Sequence, residues 1–183
     1  MKVIPGPLAG ILIIEPDIFR DDRGWFVETW SAKRYSSAGV PEKFVQDNIT
    51  SSRKGVLRGL HFQNPLAQGK LITAVDGEIF DVAVDLRVGS PTFGKWYGEM
   101  LSGETRRQLF IPPGFAHGFV VKSDSALVQY KCTEYYHRES EKTLLWNDPD
   151  LGIDWTISNP ITSEKDQRGR RLRDLRADEL FRF

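Results

Sequence analysis

Cys132 is the only cysteine in this 183-residue chain. One thiol closes no internal disulfide, and without a Cys-x-x-Cys pair a thiolate-held structural zinc is excluded. That composition fits a reducing compartment, so a cytoplasmic location is expected. Net charge is lacking too: 25 basic and 25 acidic residues cancel, leaving no whole-protein field to gather nucleic acid or an anionic membrane. The longest aliphatic stretch, Leu8 to Ile14, is far too short to span a bilayer, and no basic region with a long apolar run opens the chain. Histidine is scarce as well. Only His61, His117 and His137 are available for proton transfer near neutral pH.

What the chain does contain is turn punctuation, with 16 glycines and 10 prolines between β-branched and aromatic runs. No repeat or low-complexity linker divides it, and 40% hydrophobic content is enough for one core, so a single domain over residues 1–183 is expected. Strands are predicted at 10–15, 25–29, 44–50, 56–63, 71–75, 78–86, 93–101, 108–111, 118–121, 126–133 and 143–146. Asp76-Gly77 between two such runs reads as a hairpin turn. Helix signals are few: residues 31–38 ending at Gly39, and a start at Ser163-Glu164-Lys165-Asp166 near the C-terminus. The pattern is all-β, a sandwich or double-stranded barrel with a little helix appended. The basic run 168–176 reads as a solvated tail.

Two segments carry the chemistry. Arg58-Gly59-Leu60-His61-Phe62-Gln63 sets a histidine near Arg58 and, across the Gln68-Gly69-Lys70 turn, near Lys70. Fixed cations depress an imidazole pKa and leave it neutral, able to act as a base. Arg58 and His61 differ by three positions, which a regular strand sends to opposite faces; a bulge at Gly59 relieves this. In residues 78–86, Phe80, Val82, Val84 and Leu86 share the core face. Asp81 and Asp85 share the other, which points either to solvent or into a barrel mouth beside a histidine. The second segment, Pro112-x-Gly114-x-x-His117, resembles the second motif of the cupin superfamily, whose earlier motif is His-x-His. Here the earlier segment reads His61-Phe62-Gln63, so one histidine of the usual metal set is missing. A two-histidine site with carboxylates is the remaining metal option.

Longer stretches resemble one family closely. They are Asp-Asp-Arg-Gly at 21–24, Phe-Val-Gln-Asp-Asn at 44–48, Val-Leu-Arg-Gly-Leu-His-Phe-Gln at 56–63 and Gln-Gly-Lys-Leu at 68–71. The runs 77–87, 90–94, 111–119 and 145–148 follow in the same order. Together they are similar to dTDP-4-dehydrorhamnose 3,5-epimerase, from about Ile11 to Trp155, with the likeness thinning in the tail.

The resemblance implies a cupin-type jelly-roll barrel that works without metal or organic cofactor on a dTDP-4-dehydro-6-deoxy sugar. It implies His61 as base, Asp166 as the carboxylate orienting it, Tyr130 as acid on the opposite face and Lys70 at the enolate oxygen. Arg23 and Arg58 would meet the diphosphate. Phe19, Glu28, Gln46, Asn48 and Tyr136 would line the nucleotide and sugar, with Tyr136 against thymine and Glu28 accepting its N3–H. His117, partnered by Asp81, would sit deep in the barrel. A homodimer is implied, with an N-terminal segment adding to its partner's sheet, and no nucleic-acid or membrane partner. A 3- or 5-epimerase on a related sugar, a non-catalytic sugar-nucleotide-binding cupin and a metal-dependent cupin remain as alternatives.

Overall fold

Two antiparallel sheets face one another in the computed structural model, which describes residues 1–40 and 43–183. The chain runs through β1 (Lys2–Pro5), β2 (Leu12–Glu15), β3 (Ile18–Asp21), β4 (Gly24–Val27), α1 (Ala32–Ser37), β5 (Gln46–Arg53), β6 (Leu57–Gln63) and β7 (Lys70–Asp76). It continues through β8 (Glu78–Asp85), β9 (Arg87–Val88), β10 (Trp96–Ser102), β11 (Gln108–Ile111), β12 (Phe115–Val121), β13 (Ser125–Cys132) and β14 (Glu141–Thr143). The last elements are α2 (Glu164–Gln167) and β15 (Phe181–Arg182). One sheet has the order β1-β2-β11-β7-β13-β5 and the other β10-β8-β12-β6-β14. This is the expected all-β jelly roll with short helices.

Three layers of apolar packing follow from strand parity. Inward residues of both sheets, among them Ile72, Ile79, Ala83, Leu109, Phe119 and Val128, fill the barrel. The outer face of the five-stranded sheet carries Val82, Val84 and Val120, buried beneath Leu151, Trp155 and Leu175 of the C-terminal segment. The outer face of the other sheet packs Ile14, Leu71 and Phe110 against Tyr35 of α1. β8 is therefore buried on both faces. The Val82 face lies under the C-terminal segment, and the face with Asp81 looks into the barrel. Asp81 and Asp85 are both 0% exposed, so the solvent-facing alternative is excluded. Asp85 is consumed structurally, accepting hydrogen bonds from Arg87, Ser90 and Thr92.

The Asp76-Gly77 turn is not a hairpin. β7 pairs with β11 and β13 while β8 pairs with β10 and β12, so the chain crosses here from one sheet to the other. Both edges of each strand are taken by partners distant in sequence, which no local turn signal reports. Glycine is needed at 77 for packing as well as for its φ of +73°: a Cβ there would lie 2.1 Å from the Ser125 carbonyl oxygen.

The helix boundaries agree with their signals. Ser31 Oγ accepts the Arg34 N–H before α1, Gly39 follows it at φ +94°, and Ser163 Oγ accepts the Asp166 N–H at the start of α2. β3 was not among the expected strands, yet β3 and β4 form a separate two-stranded hairpin. The N-terminal segment folds as β1 on its own chain's β2, at the edge of the larger sheet. In the basic run, Arg168, Arg170, Arg173 and Arg176 pair with Glu164, Glu179, Asp150 and Asp178. No helix among the described residues is long and apolar enough to cross a membrane.

Candidate active site

The β6–β12 pairing brings the two candidate histidines together. His61 lies opposite His117, and Arg58 opposite Phe119, so β6 spends three steps where β12 spends two. That extra residue is the bulge expected at Gly59. Gly59 has φ +128°, and a Cβ on it would stand 2.6 Å from Gly118 Cα and 2.8 Å from the His117 carbonyl. Two glycines in backbone contact thus reset the parity, and Arg58 and His61 line one cavity of about 600 Å³. A smaller cavity of about 230 Å³ adjoins it and shares His61, Lys70, Tyr130 and Glu141.

His61 Nε2 lies 2.6 Å from Asp166 Oδ1, an approach made across 105 residues of sequence. α2 presents Asp166 because its segment is bolted to the sheet on both sides. Ile161 bridges to Val56, and Arg170 bridges to Leu144. Gly169 allows the close approach, since a Cβ there would sit 2.8 Å from Leu145 Cα. Burial lowers the His61 pKa from its ordinary value, against an upward pull from Asp166; Lys165 and Lys70 add to the lowering. Burial alone would raise the Asp166 carboxyl, but hydrogen bonds from His61 and Ser163 and the charges of His61 and Lys165 hold it below the usual range. The pair is a neutral imidazole donating Nε2–H to a carboxylate, with its lone pair left on Nδ1.

Lys70 opens β7 and lines both cavities, and burial pushes its ammonium pKa down while Cys132, Asp81 and Glu141 oppose the shift. Tyr130 of β13 lines the same space. Burial, with Cys132 and Glu141 nearby, pushes its phenol up against the effect of Arg58, so it stays protonated and able to donate. His117 Nε2 contacts Asp81 Oδ2 at 2.9 Å inside the barrel, and burial raises the Asp81 carboxyl against the effects of His117 and Lys70. Arg58 donates Nε–H to Ser52 Oγ at 3.0 Å.

The structure gathers most of the expected residues and leaves three outside. His61, Lys70, Tyr130, Asp166, Arg58 and His117 line the larger cavity. Gln46, Asn48 and Tyr136 line the smaller one. Phe19, Arg23 and Glu28 do not reach either cavity of their own chain. Phe19 is 60% exposed on the β3–β4 hairpin, Arg23 pairs with Asp21, and Glu28 pairs with Arg34 of α1. Glu141 and Lys165, ion-paired at 2.7 Å, line the larger cavity and escaped the sequence reading. Glu141 lies in a polar run without a motif, whereas Lys165 adjoins Asp166 at the helix start. Among the described residues no group of three or more His, Cys, Asp or Glu side chains is arranged to hold a metal ion.

The arrangement has a neutral base, a protonated phenol and a partly desolvated ammonium around one space, the set needed to invert a carbon next to a ketone. Comparison with known proteins leads to the same chemistry. A family model described as dTDP-4-dehydrorhamnose 3,5-epimerase matches residues 5–174. The dTDP-4-dehydrorhamnose 3,5-epimerase of Methanothermobacter thermautotrophicus is 51% identical over 176 residues, covering 94% of this chain and 95% of the relative. The crystal structure of the Legionella pneumophila 3,5-epimerase in complex with dTDP-4-keto-L-rhamnose superposes with a TM-score of 0.96 at 50% identity, covering 100% of this chain and 98% of that one. A 3'-monoepimerase from Streptomyces bikiniensis, in complex with dTDP-quinovose, matches with a TM-score of 0.86 at 32% identity, over 92% of this chain and 87% of that one. By profile, by sequence over nearly its whole length and by its cupin-type jelly roll, the chain belongs to the dTDP-4-dehydrorhamnose 3,5-epimerase family.

Proposed function

We propose that this protein, as one domain over residues 1–183, inverts C3 and C5 of dTDP-4-dehydro-6-deoxy-D-glucose to give dTDP-4-dehydro-L-rhamnose. The observation that carries this reading is the His61–Asp166 dyad, 2.6 Å apart, sharing a cavity with Lys70 and Tyr130. The C4 ketone acidifies the C–H bonds at C3 and C5. His61 takes one proton, and Asp166 stabilises the imidazolium that forms. The electron pair moves onto the C4 oxygen as an enolate, where the Lys70 ammonium meets it as a compact positive charge. Tyr130 then returns a proton from the other face, and the carbon is inverted. Each inversion loads His61 and empties Tyr130. Both groups must re-equilibrate with solvent before the second centre reacts.

In this reading the smaller cavity takes the nucleotide, with Tyr136 facing the base and Gln46 and Asn48 beside it. Arg58 pairs with the diphosphate, and His117, oriented by Asp81, contacts the sugar. Phe19, Arg23 and Glu28 act in trans. The protein is a homodimer in which the β3–β4 hairpin of one subunit enters the partner's cleft. Support comes from the hairpin itself, which pairs with neither barrel sheet and carries Phe19 and Phe26 exposed at 60% and 66%. The enzyme acts in the cytoplasm, without nucleic-acid or membrane partners. The lone buried thiol and the balanced charge favour this.

The test is turnover of the 4-dehydro-6-deoxyglucose nucleotide in deuterated water, read by NMR. Label at both C3 and C5 is expected. Label at one centre only would make the protein a single-centre epimerase like its Streptomyces bikiniensis neighbour, and label at neither would end the proposal.

A further inference from the structure

The loop between β13 and β14 is held by three glutamine side chains acting on four consecutive residues. Gln68 Nε2 donates to the Glu134 carbonyl at 2.9 Å. Gln63 Nε2 donates to the Tyr135 carbonyl at 3.1 Å and to the Leu66 carbonyl at 2.8 Å, while its Oε1 accepts the His137 N–H at 2.8 Å. Gln46 Oε1 accepts the Tyr136 N–H at 2.8 Å, and its Nε2 donates to Asn48 Oδ1 at 3.0 Å. The segment 134–137 belongs to no strand or helix, so its backbone groups depend on these side chains in place of a ladder.

A primary amide suits the task. It offers donors and an acceptor from one planar group, so Gln63 serves the Tyr135 carbonyl and the His137 N–H as an adjacent strand would. Gln63 is 3% exposed with both amide ends engaged, and the amides do not titrate, so the hold is the same at every working pH. A histidine here, where metal-binding cupins have their second ligand, lacks the donors for this pattern. The opposite end of the loop's central residue is also fixed, since Tyr136 Oη donates to Glu141 Oε2 at 3.0 Å. Between these anchors the Tyr136 side chain stays 51% exposed beside the smaller cavity.

We propose that Gln63 and Gln68, with Gln46, are positioning residues for nucleotide recognition: they set the Tyr136 ring before ligand arrives. The proposal rests on the assignment of Tyr136 to the nucleobase made above. Ordering the loop in advance removes that cost from binding, so the glutamines act on affinity and leave the proton-transfer step alone. Gln63 and Gln68 also line the smaller cavity, which makes direct ligand contact the competing role.

A double-mutant cycle separates the two roles. Affinity for dTDP is measured by calorimetry on wild type, Gln63→Leu, Gln68→Ala, Tyr136→Ala and each glutamine variant combined with Tyr136→Ala. Gln63→Leu is expected to weaken binding about tenfold and Gln68→Ala about threefold, raising KM while kcat stays within about threefold. In the Tyr136→Ala background both effects should shrink below about twofold. Amide exchange at Tyr136 and His137 should accelerate in the unliganded glutamine variants. The inference is overturned by wild-type affinity in both variants, by losses that persist undiminished without Tyr136, or by kcat falling while KM holds. Gln68→Ala removes a single bond to a loop carbonyl and serves if Gln63→Leu does not fold. Should Tyr136→Ala alone bind dTDP as wild type does, both this inference and the assignment of the base to Tyr136 fall; if it binds weakly but the glutamine variants do not, only this inference does.

Discussion

Replacing Asp166 by asparagine isolates the charge of the dyad with almost no change in shape. The Asp166 backbone N–H keeps its bond to Ser163 Oγ at 3.2 Å, so the start of α2 is retained. What is lost is the carboxylate that holds Nε2–H and stabilises imidazolium. At a separation of about 4 Å between charge centres and an effective dielectric near 20, that interaction is worth about 4 kcal/mol. The side chains are 26% and 4% exposed for His61 and Asp166, so little solvent screening reduces it. Four kcal/mol is roughly three decades of rate at about 1.4 kcal/mol per decade. An asparagine amide can also donate to Nε2 and strand the proton on Nδ1, which removes the lone pair the base needs and acts in the same direction. The expected result is a fall in kcat on the order of 10³, with dTDP affinity kept within about twofold, measured by single-turnover deuterium wash-in. The pH profile gives a second reading. A base must be neutral, so the rate falls as pH drops through the His61 pKa, which burial lowers; the acid limb of the wild type lies below pH 6.5. Removing the upward pull of Asp166 moves that limb lower still. A variant that keeps more than a tenth of wild-type kcat, or an acid limb that moves up, would refute this account of the dyad.

Other perturbations follow from the same geometry. Lys70→Met removes the ammonium that lines both cavities and is expected to cut kcat roughly 10²- to 10³-fold with dTDP affinity unchanged, since the charge matters at the enolate. Tyr130→Phe should separate the half-reactions: solvent deuterium still enters at the abstracted position while inverted product falls sharply, and parallel loss of both would remove Tyr130 as the acid. Gly59→Ala forces a Cβ to 2.6 Å from Gly118 Cα at φ +128°. Strain of at least about 2 kcal/mol should lower Tm by roughly 4–8 °C by calorimetry, with activity lost as the bulge shifts; a change under about 1 °C would refute the close-packing argument. Mixing Arg23→Ala with His61→Ala subunits should restore activity that neither homodimer has, and no restoration after subunit exchange would refute the hairpin acting in trans.

Local pattern reported the elements whose partners did not matter to their formation. β11 occupies residues 108–111, the bounds expected for that strand, and α1 lies between its Ser31 cap and Gly39. Pairing was less legible. Asp76-Gly77 carries every residue a hairpin wants, yet β7 pairs with β11 and β13 and β8 with β10 and β12, none of them across this turn, and such pairing leaves no mark on the turn. β3 hid for a different reason: Ile18-Phe19-Arg20-Asp21 shows no alternation, and its hairpin pairs with neither barrel sheet. Glu141 was missed because a glutamate in a polar run looks solvated until β14 brings it to the cavity wall.

For the site, the sequence by itself determined the chemical inventory. It supplied one histidine between cations, a second after a tight turn, a glutamine where a metal ligand would stand and a glycine able to break strand parity. Which groups act on which was decided only by the tertiary structure. Parity left Asp81 free to face water or the barrel, and burial of β8 on both sides sent it inward to His117. His61 meets Asp166 only because the C-terminal segment returns across the sheet, and His61 and Lys70 have depressed pKa values chiefly because folding takes them out of water. Desolvation and long-range contact are properties of the folded whole, and no window of neighbouring residues contains them.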